Sequence, residues 1–255
     1  MSLQETVGCT IRLVVTEIME ILVVSPCSGS KQYDAVADCG QVDEKSRGTL
    51  IEEFPESTSS AAEMYTGREH GHIQSAVERL SEVANVDWCI ISAGFGVVSS
   101  STEILSYECT FNEIEQVRER AEMFGLDVAE MTNNELIVAV SREKSIPQDL
   151  RKIITKDYDL VFVALGTKYL IAAQEALTSM PEETTAFAFA SKGSKKFIGD
   201  CYWIPATEAE RSHLSTTWLE LRGRELLSLA QNIRNEEHFE QLRDAPEKAK
   251  KLCIS

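Results

Sequence analysis

Three short segments carry the residues of this chain best suited to holding a ligand. Val24-Ser25-Pro26-Cys27-Ser28-Gly29-Ser30-Lys31 offers hydroxyls, a thiol, a glycine and an amine. Ile91-Ser92-Ala93-Gly94-Phe95-Gly96-Val97-Val98 brackets an aromatic ring with two glycines, and Leu165-Gly166-Thr167-Lys168-Tyr169 runs a glycine straight into a lysine and a tyrosine. Small side chains let a ligand approach the backbone, and Lys31 and Lys168 can neutralise an anion. The residues read as candidates on this basis are Ser25, Cys27, Ser28, Lys31, Ser92, Gly94, Gly96, Gly166, Lys168 and Tyr169. Tyr107 joins them, since with Glu108 it follows a serine-rich loop and can reach back over a pocket. Each segment has a plain structural reading too: an ordinary turn around an inert thiol for the first, a tight loop with Phe95 plugging the core for the second. The first lacks the G-x-x-x-x-G-K-[ST] spacing of a Walker loop. Lys168 in the first turn of a helix opposes the helix dipole, which favours a functional reason for its presence.

Each segment follows a run with the length and content of a strand buried on both faces: Ile21 to Val24, Trp88 to Ile91, and Leu160 to Ala164. Helical patterns lie between them, at His72 to Val83 with Ile73, Ala76, Val77 and Leu80 on one face, at Gln148 to Ile154 after Pro147, and at Tyr169 to Leu177. The alternation predicts an α/β fold, a single domain with a mostly parallel central sheet flanked by helices in a Rossmann-like three-layer arrangement, plus a long C-terminal helix. Parallel strands deliver their carboxyl ends to one edge, so the three segments are expected to converge on one cleft.

Elsewhere, Thr185 to Ala190, Lys192-Gly193-Ser194-Lys195 and Phe197-Ile198-Gly199 read as strand, tight turn and strand. Glu208 to about Asn235, with Leu214, Trp218, Leu221 and Leu229, reads as one long amphipathic helix. Cys39 to Ser60 lacks periodicity and reads as a mobile surface loop. The α/β domain is placed at residues 19–235, with a charged tail at 236–255 that frays or lies on the surface. Met19 stands directly before the first strand, so residues 1–18 read either as an extension ahead of the native start or, through Ile11 to Val15, as an extra edge strand.

With 255 residues, 43% of them hydrophobic, the chain can bury a substantial core. Its formal net charge of −16, from 25 basic and 41 acidic residues, argues against a general electrostatic grip on nucleic acid and also fits a high-salt cytoplasm. The apolar stretch Ile11 to Val24 is broken by Arg12, Glu17 and Glu20, so it reads neither as a membrane span nor as a signal peptide. Seven scattered cysteines without a C-x-x-C pair imply no disulfide framework and no zinc site; a reducing cytoplasm is the simple reading. His70 and His72 lack an obvious third ligand, so neither metal nor cofactor is expected. No acid/base pair or Ser-His-Asp set assembles from the sequence, which leaves catalysis unassigned.

Taken together and in order, these segments resemble the YaaA-like superfamily, the peroxide-stress protein family with its uncharacterised archaeal and bacterial relatives. S-P-C-S-G-S-K-Q-Y-D (Ser25 to Asp34) is similar to the family's S-P-A-K-T-L-D-Y, and I-S-A-G-F-G-V-V (Ile91 to Val98) to its L-S-G-L-Y-G-L-L. Y-E-C-T-F (Tyr107 to Phe111) and A-L-G-T-K-Y (Ala164 to Tyr169) fall where the family has P-Y-R-L-E-M and L-A-S-N-E-Y. F-A-S-K-G-S-K-K-F-I (Phe189 to Ile198) and L-R-G-R-E-L-L (Leu221 to Leu227) are similar to a basic hairpin and an A-R-G-L-M helix. Shorter relatives share A-x-x-M/L-Y-T-G-x-E-H, present here as Ala61 to His70. The resemblance implies a compact α/β fold with a positively charged cleft, in a family linked to DNA binding and to limiting oxidative damage. It adds Arg222 and Arg224 to the candidates; two residues apart on a helix, they point roughly 200° apart, so only one can face the cleft. Phe95 stands where the family carries tyrosine, and Cys39 to Ser60, read as a loop, offers no counterpart to the helix-hairpin-helix credited with DNA contact.

The favoured expectation is a small anionic ligand, a nucleotide, nucleobase or other phosphate-bearing molecule, held by the basic residues and hydrogen-bonded by Ser25, Ser92 and Tyr107. The alternative is a DNA-associated protein of oxidative-stress protection without turnover, adding Lys192, Lys195 and Lys196. A scaffold whose glycine turns are purely structural is the third reading.

Overall fold

The computed structural model describes residues 18–254. The edge-strand reading of Ile11 to Val15, and all but Ile18 of the 1–18 extension, lie outside the described residues. Six strands form the central sheet: β1 (Glu20–Pro26), β2 (Asn85–Ser92), β3 (Gly96–Ser99), β4 (Leu160–Val163), β5 (Thr185–Ala190) and β6 (Tyr202–Pro205). Their order across the sheet is β6-β5-β4-β1-β2-β3, with every neighbouring pair parallel except β2 and β3. The three apolar runs fall on β1, β2 and β4. Val23 lies opposite Trp88 on one side and Phe162 on the other, at the centre of the buried core.

From β1 the chain moves to β2 on one side, and later returns to β4 on the other. Crossovers between parallel strands are right-handed, so these opposite moves set their helices on opposite faces. The Arg68–Leu80 helix packs with the Leu221–Asn232 helix, while Asn133–Glu143, Ile146–Ile154 and Thr167–Leu177 pack with one another. The connection reverses between β1 and β4. Their carboxyl ends therefore border the topological switch point, where open α/β sheets hold ligands.

Four expectations are corrected. Cys39 to Ser60 is not a mobile loop: it contains the helices Cys39–Glu44 and Arg47–Glu53, a 3₁₀ turn at Pro55–Ser57 and a strand Thr58–Ser60 paired with Glu103–Leu105. Asp38 and Ser46 cap the two helices and Val42 and Leu50 anchor them in the core, but fewer than two turns each leave no periodicity to read. Phe197-Ile198-Gly199 is not a returning hairpin strand. Lys195–Phe197 makes a 3₁₀ turn, Gly199 at φ +59° carries the chain past the Leu177 carbonyl, and the next strand is β6, parallel to β5.

The single helix expected from Glu208 onward is broken into Glu208–His213 and the 12-residue Leu221–Asn232 by Ser215 at φ +49°. Trp218 and Leu219 lie in the break and face solvent. The tail does not fray. Glu236–Asp244 buries Phe239 and Leu242, and Ala249–Cys253 buries Ala249 and Cys253 against the Leu221–Asn232 helix. One disulfide, which cysteine spacing did not reveal, joins Cys39 to Cys109 across 70 positions. The short parallel strands Ala37–Asp38 and Tyr107–Glu108 carry the two cysteines on their next residues and so bring them together. Among the described residues, no helix is long and apolar enough to cross a membrane.

Candidate functional site

At the carboxyl end of β1 the chain leaves the sheet as Pro26-Cys27-Ser28-Gly29-Ser30 and borders a cleft of about 630 Å³. The segment before the Arg68–Leu80 helix is tied to it through Gln32 N to Met64 O at 2.8 Å and Thr66 N to Ser30 O at 3.0 Å. Gly67 packs closely there: a Cβ would stand 2.2 Å from Ser28 Oγ and 3.2 Å from Ser28 Cβ, so Ser28 would have to turn aside. Gly67, Arg68, Glu69, His70 and Ile73 therefore line the cleft opposite the β1 end, with Asn112 and the loop residues Thr217, Leu219 and Glu220 completing it.

Two helices begin here with glycine N-caps and no side-chain cap: the 13-residue Arg68–Leu80 helix after Gly67 and the 11-residue Thr167–Leu177 helix after Gly166. Each leaves first-turn N–H groups without a side-chain cap; Glu69 in the first turn of the Arg68–Leu80 helix already offsets that helix's dipole, whereas the Thr167–Leu177 helix has no acidic residue there. Arg222 links the two ends. Its guanidinium lies 3.5 Å from where a Cβ on Gly166 would stand, and 2.9 Å from Oε1 of Glu69. Burial pushes the Glu69 carboxyl up from its ordinary value, and the Arg222 charge opposes that rise. Glu220 reaches Arg68 at 3.4 Å and His72 at 3.6 Å, so acidic side chains stand among the basic ones of the cleft. No protein-family model, curated protein or solved structure matches this chain.

The predicted residues divide by where they point. Cys27 and Ser28 line the cleft, and Cys27 Sγ sits 3.0 Å from Tyr169 Oη. Lys168, in the first turn of its helix as expected, donates to the carbonyl of the cleft residue Asn112 at 3.3 Å. Lys31 lies beside Cys27 but over the Tyr107 ring, 4.6 Å from its centroid; burial lowers its pKa, while Cys27 and Glu108 oppose this. Ser25 is turned inward, where its Oγ accepts from Trp88 Nε1 at 2.8 Å. Arg222 reaches the cleft through Glu69, and Arg224 is half-buried on the same helix.

The β2 end is built differently. Ser92 Oγ accepts from the backbone N–H of Gly94 at 3.2 Å and of Phe95 at 2.8 Å, so its own hydrogen goes to Tyr107 Oη at 2.6 Å, and Tyr107 in turn donates to Tyr65 Oη at 2.8 Å. Both glycines have structural duties. A Cβ on Gly94 would press to 2.8 Å of the Tyr107 ring, and Gly96, at φ +72°, would press to 2.7 Å of the Lys144 carbonyl. Buried Arg120 closes the loop with a bidentate pair to Asp43 at 2.7 and 2.8 Å and a bond to Ala93 O at 2.9 Å, and Lys144 joins Asp43 at 2.9 Å. Ser92, Gly94, Gly96 and Tyr107 thus occupy one another.

Sequence reasoning missed Gly67, Glu69, His70 and Glu220. The first three stand in Y-T-G-R-E-H (Tyr65 to His70), a noted motif in which a glycine directly before a helix was the available signal. Among the described residues no group of three or more His, Cys, Asp or Glu side chains is placed to hold an ion. The arrangement can bind an anion, orient it by backbone N–H groups, and present a half-exposed thiol hydrogen-bonded to a phenol.

Proposed function

We propose that this protein binds a small phosphate-bearing molecule, of nucleotide class, in the cleft at the carboxyl end of β1, beside the topological switch point. The observation that carries this reading is the uncapped, glycine-started end of the Thr167–Leu177 helix, with Lys168 and no acidic residue in its first turn, beside a second uncapped helix start at the switch point. Such ends stabilise phosphate through unpaired N–H groups and aligned peptide dipoles. A cleft of about 630 Å³ suits a mononucleotide-sized ligand. Ser28, Ser30 and Lys168 supply hydroxyls and a cation at its border. Kinship to the YaaA-like superfamily belongs to the same reading, since the Ser25 to Asp34 and Ala164 to Tyr169 likenesses lie at these strand ends. Duplex DNA is not favoured, because the helices at Cys39–Glu44 and Arg47–Glu53 carry Asp43, Glu44, Glu52 and Glu53 against Lys45 and Arg47.

The test is thermal unfolding of the full chain with inorganic phosphate, pyrophosphate and nucleoside monophosphates, for the native protein and Lys168→Ala. A ligand that binds only the folded state raises the midpoint with concentration. The expected result is a rise with at least one of these anions, reduced in Lys168→Ala while the ligand-free midpoint is unchanged. No rise with any of them at millimolar concentration defeats the reading.

A further inference from the structure

The two helix ends carry unlike side chains. Five buried side-chain polar atoms lack a hydrogen-bond partner among the described residues, and three of them cluster at the Gly67 end: His70 Nδ1, Arg222 Nε, and Glu69 Oε1, the last held only by its charge contact with the Arg222 guanidinium at 2.9 Å. Folded proteins leave few such atoms, and each calls for a reason. His70 lines the cleft with only 3% of its surface exposed. Its Nε2 lies 2.9 Å from Ala62 O, which can only accept, so Nε2 carries the hydrogen and Nδ1 is a bare acceptor. The ring is fixed edge-on to Tyr65 at 5.6 Å and against Trp88 at 5.0 Å, and Trp88 is itself held by Ser25. Burial lowers the His70 pKa and keeps the imidazole neutral.

Resting on the anion-binding reading above, we infer that the Gly67 end receives the uncharged part of the ligand. Glu69 and His70 accept from adjacent O–H or N–H groups, and Arg222 Nε donates to an acceptor beside them. The phosphate then lies toward Gly166 and Lys168, away from the Glu69 carboxylate, which would repel it. Two parts of a nucleotide have this chemistry: the vicinal hydroxyls of a ribose, and a base edge that places a ring N–H and an amino group beside a carbonyl.

Calorimetric titration of the full chain with guanosine, 2′-deoxyguanosine and inosine separates these sources without relying on phosphate. Guanosine is expected to bind, and at least one analogue to bind about tenfold more weakly, the deoxynucleoside if the ribose is read and inosine if the base is. Glu69→Gln, which keeps the side chain's shape, is expected to erase that difference. The inference is overturned if none of the three binds, if all three bind alike, or if Glu69→Gln discriminates as the native protein does. Because the series on the native protein needs no variant, the outcome stands even if Glu69→Gln folds poorly. Phosphate titration reports on the anion reading separately: guanosine discrimination without phosphate binding removes that reading alone, and phosphate binding without discrimination removes this one alone.

Discussion

The β1 and β2 ends look alike in sequence, each a core strand running into serine and glycine, yet they are finished in opposite ways. At β2, Ser92, Tyr107 and Tyr65 satisfy one another, Arg120 and Asp43 neutralise one another, and the glycines make room for a ring and a carbonyl. Around the β1 end, two helix starts lack side-chain caps and three buried polar atoms, one of them ion-paired, make no hydrogen bond beside an open cleft. A small residue at a strand end is evidence for a ligand only when the protein itself does not already occupy the space and the hydrogen bonds. Glycine content alone does not separate the two cases.

The sharpest way to break this comparison is to add one methyl group at each end. Gly96→Ala should cost about 2–4 kcal/mol, from its positive φ and the Lys144 carbonyl 2.7 Å away. Gly94→Ala should cost about 1–3 kcal/mol through the Tyr107 ring. Gly29→Ala at the β1 end meets nothing within 4 Å and should change stability by less than about 0.5 kcal/mol. Urea unfolding of the three variants decides it; equal losses at all three positions would sink the distinction.

Glu225 sharpens the comparison from outside both ends, being buried with neither carboxyl oxygen partnered. Burial, then the nearby Glu210 charge, lifts its pKa from 4.5 to about 9. The folded state then holds a proton that the unfolded state releases. This contribution is fully present below pH 4.5 and is lost as pH rises toward 9, at no more than about 1.4 kcal/mol per pH unit. Glu225→Gln should therefore raise stability at pH 8 by up to a few kcal/mol and flatten the decline between pH 5 and 9. Parallel pH profiles for variant and native protein would count against it.

A loss smaller than that at Gly96 is expected in the phenol chain. Tyr107→Phe removes a hydroxyl shared by Ser92 and Tyr65, and should cost about 1–2 kcal/mol while leaving anion binding at the β1 cleft intact. A loss of ligand affinity larger than the loss of stability would join the two regions into one site.

The sheet was legible because β-branched and aromatic runs on both sides of helical patterns leave few other folds open, and β1, β2 and β4 lie where those runs were read. The position of Lys168 in the first turn of a helix was legible as well, since Gly166 directly before the apolar run marks the helix start. The direction of Ser25 and Ser92 was not, because it is set by Trp88 and Tyr107, partners 63 and 15 positions away. Glu69 and His70 were hidden for a similar reason: the motif holding them becomes a cleft wall only when its glycine packs on Ser28. The short helices after Cys39 escaped because tertiary anchoring, not periodicity, maintains them.

The central position of β1 has a consequence for how the cleft comes into being. One of its borders is contributed by the β2 side of the chain and the other by the β4 side, and Cys27 and Tyr169, which touch there, are 142 positions apart. No stretch that ends before β4 contains both helix starts. Assembly of the cleft thus waits on the most distant contacts of the fold, which form slowly because a long loop must close before they repay it. The proposed ligand binding would then be a reporter of completed folding, since a nascent or proteolysed chain can acquire much of its helix without acquiring the cleft at all.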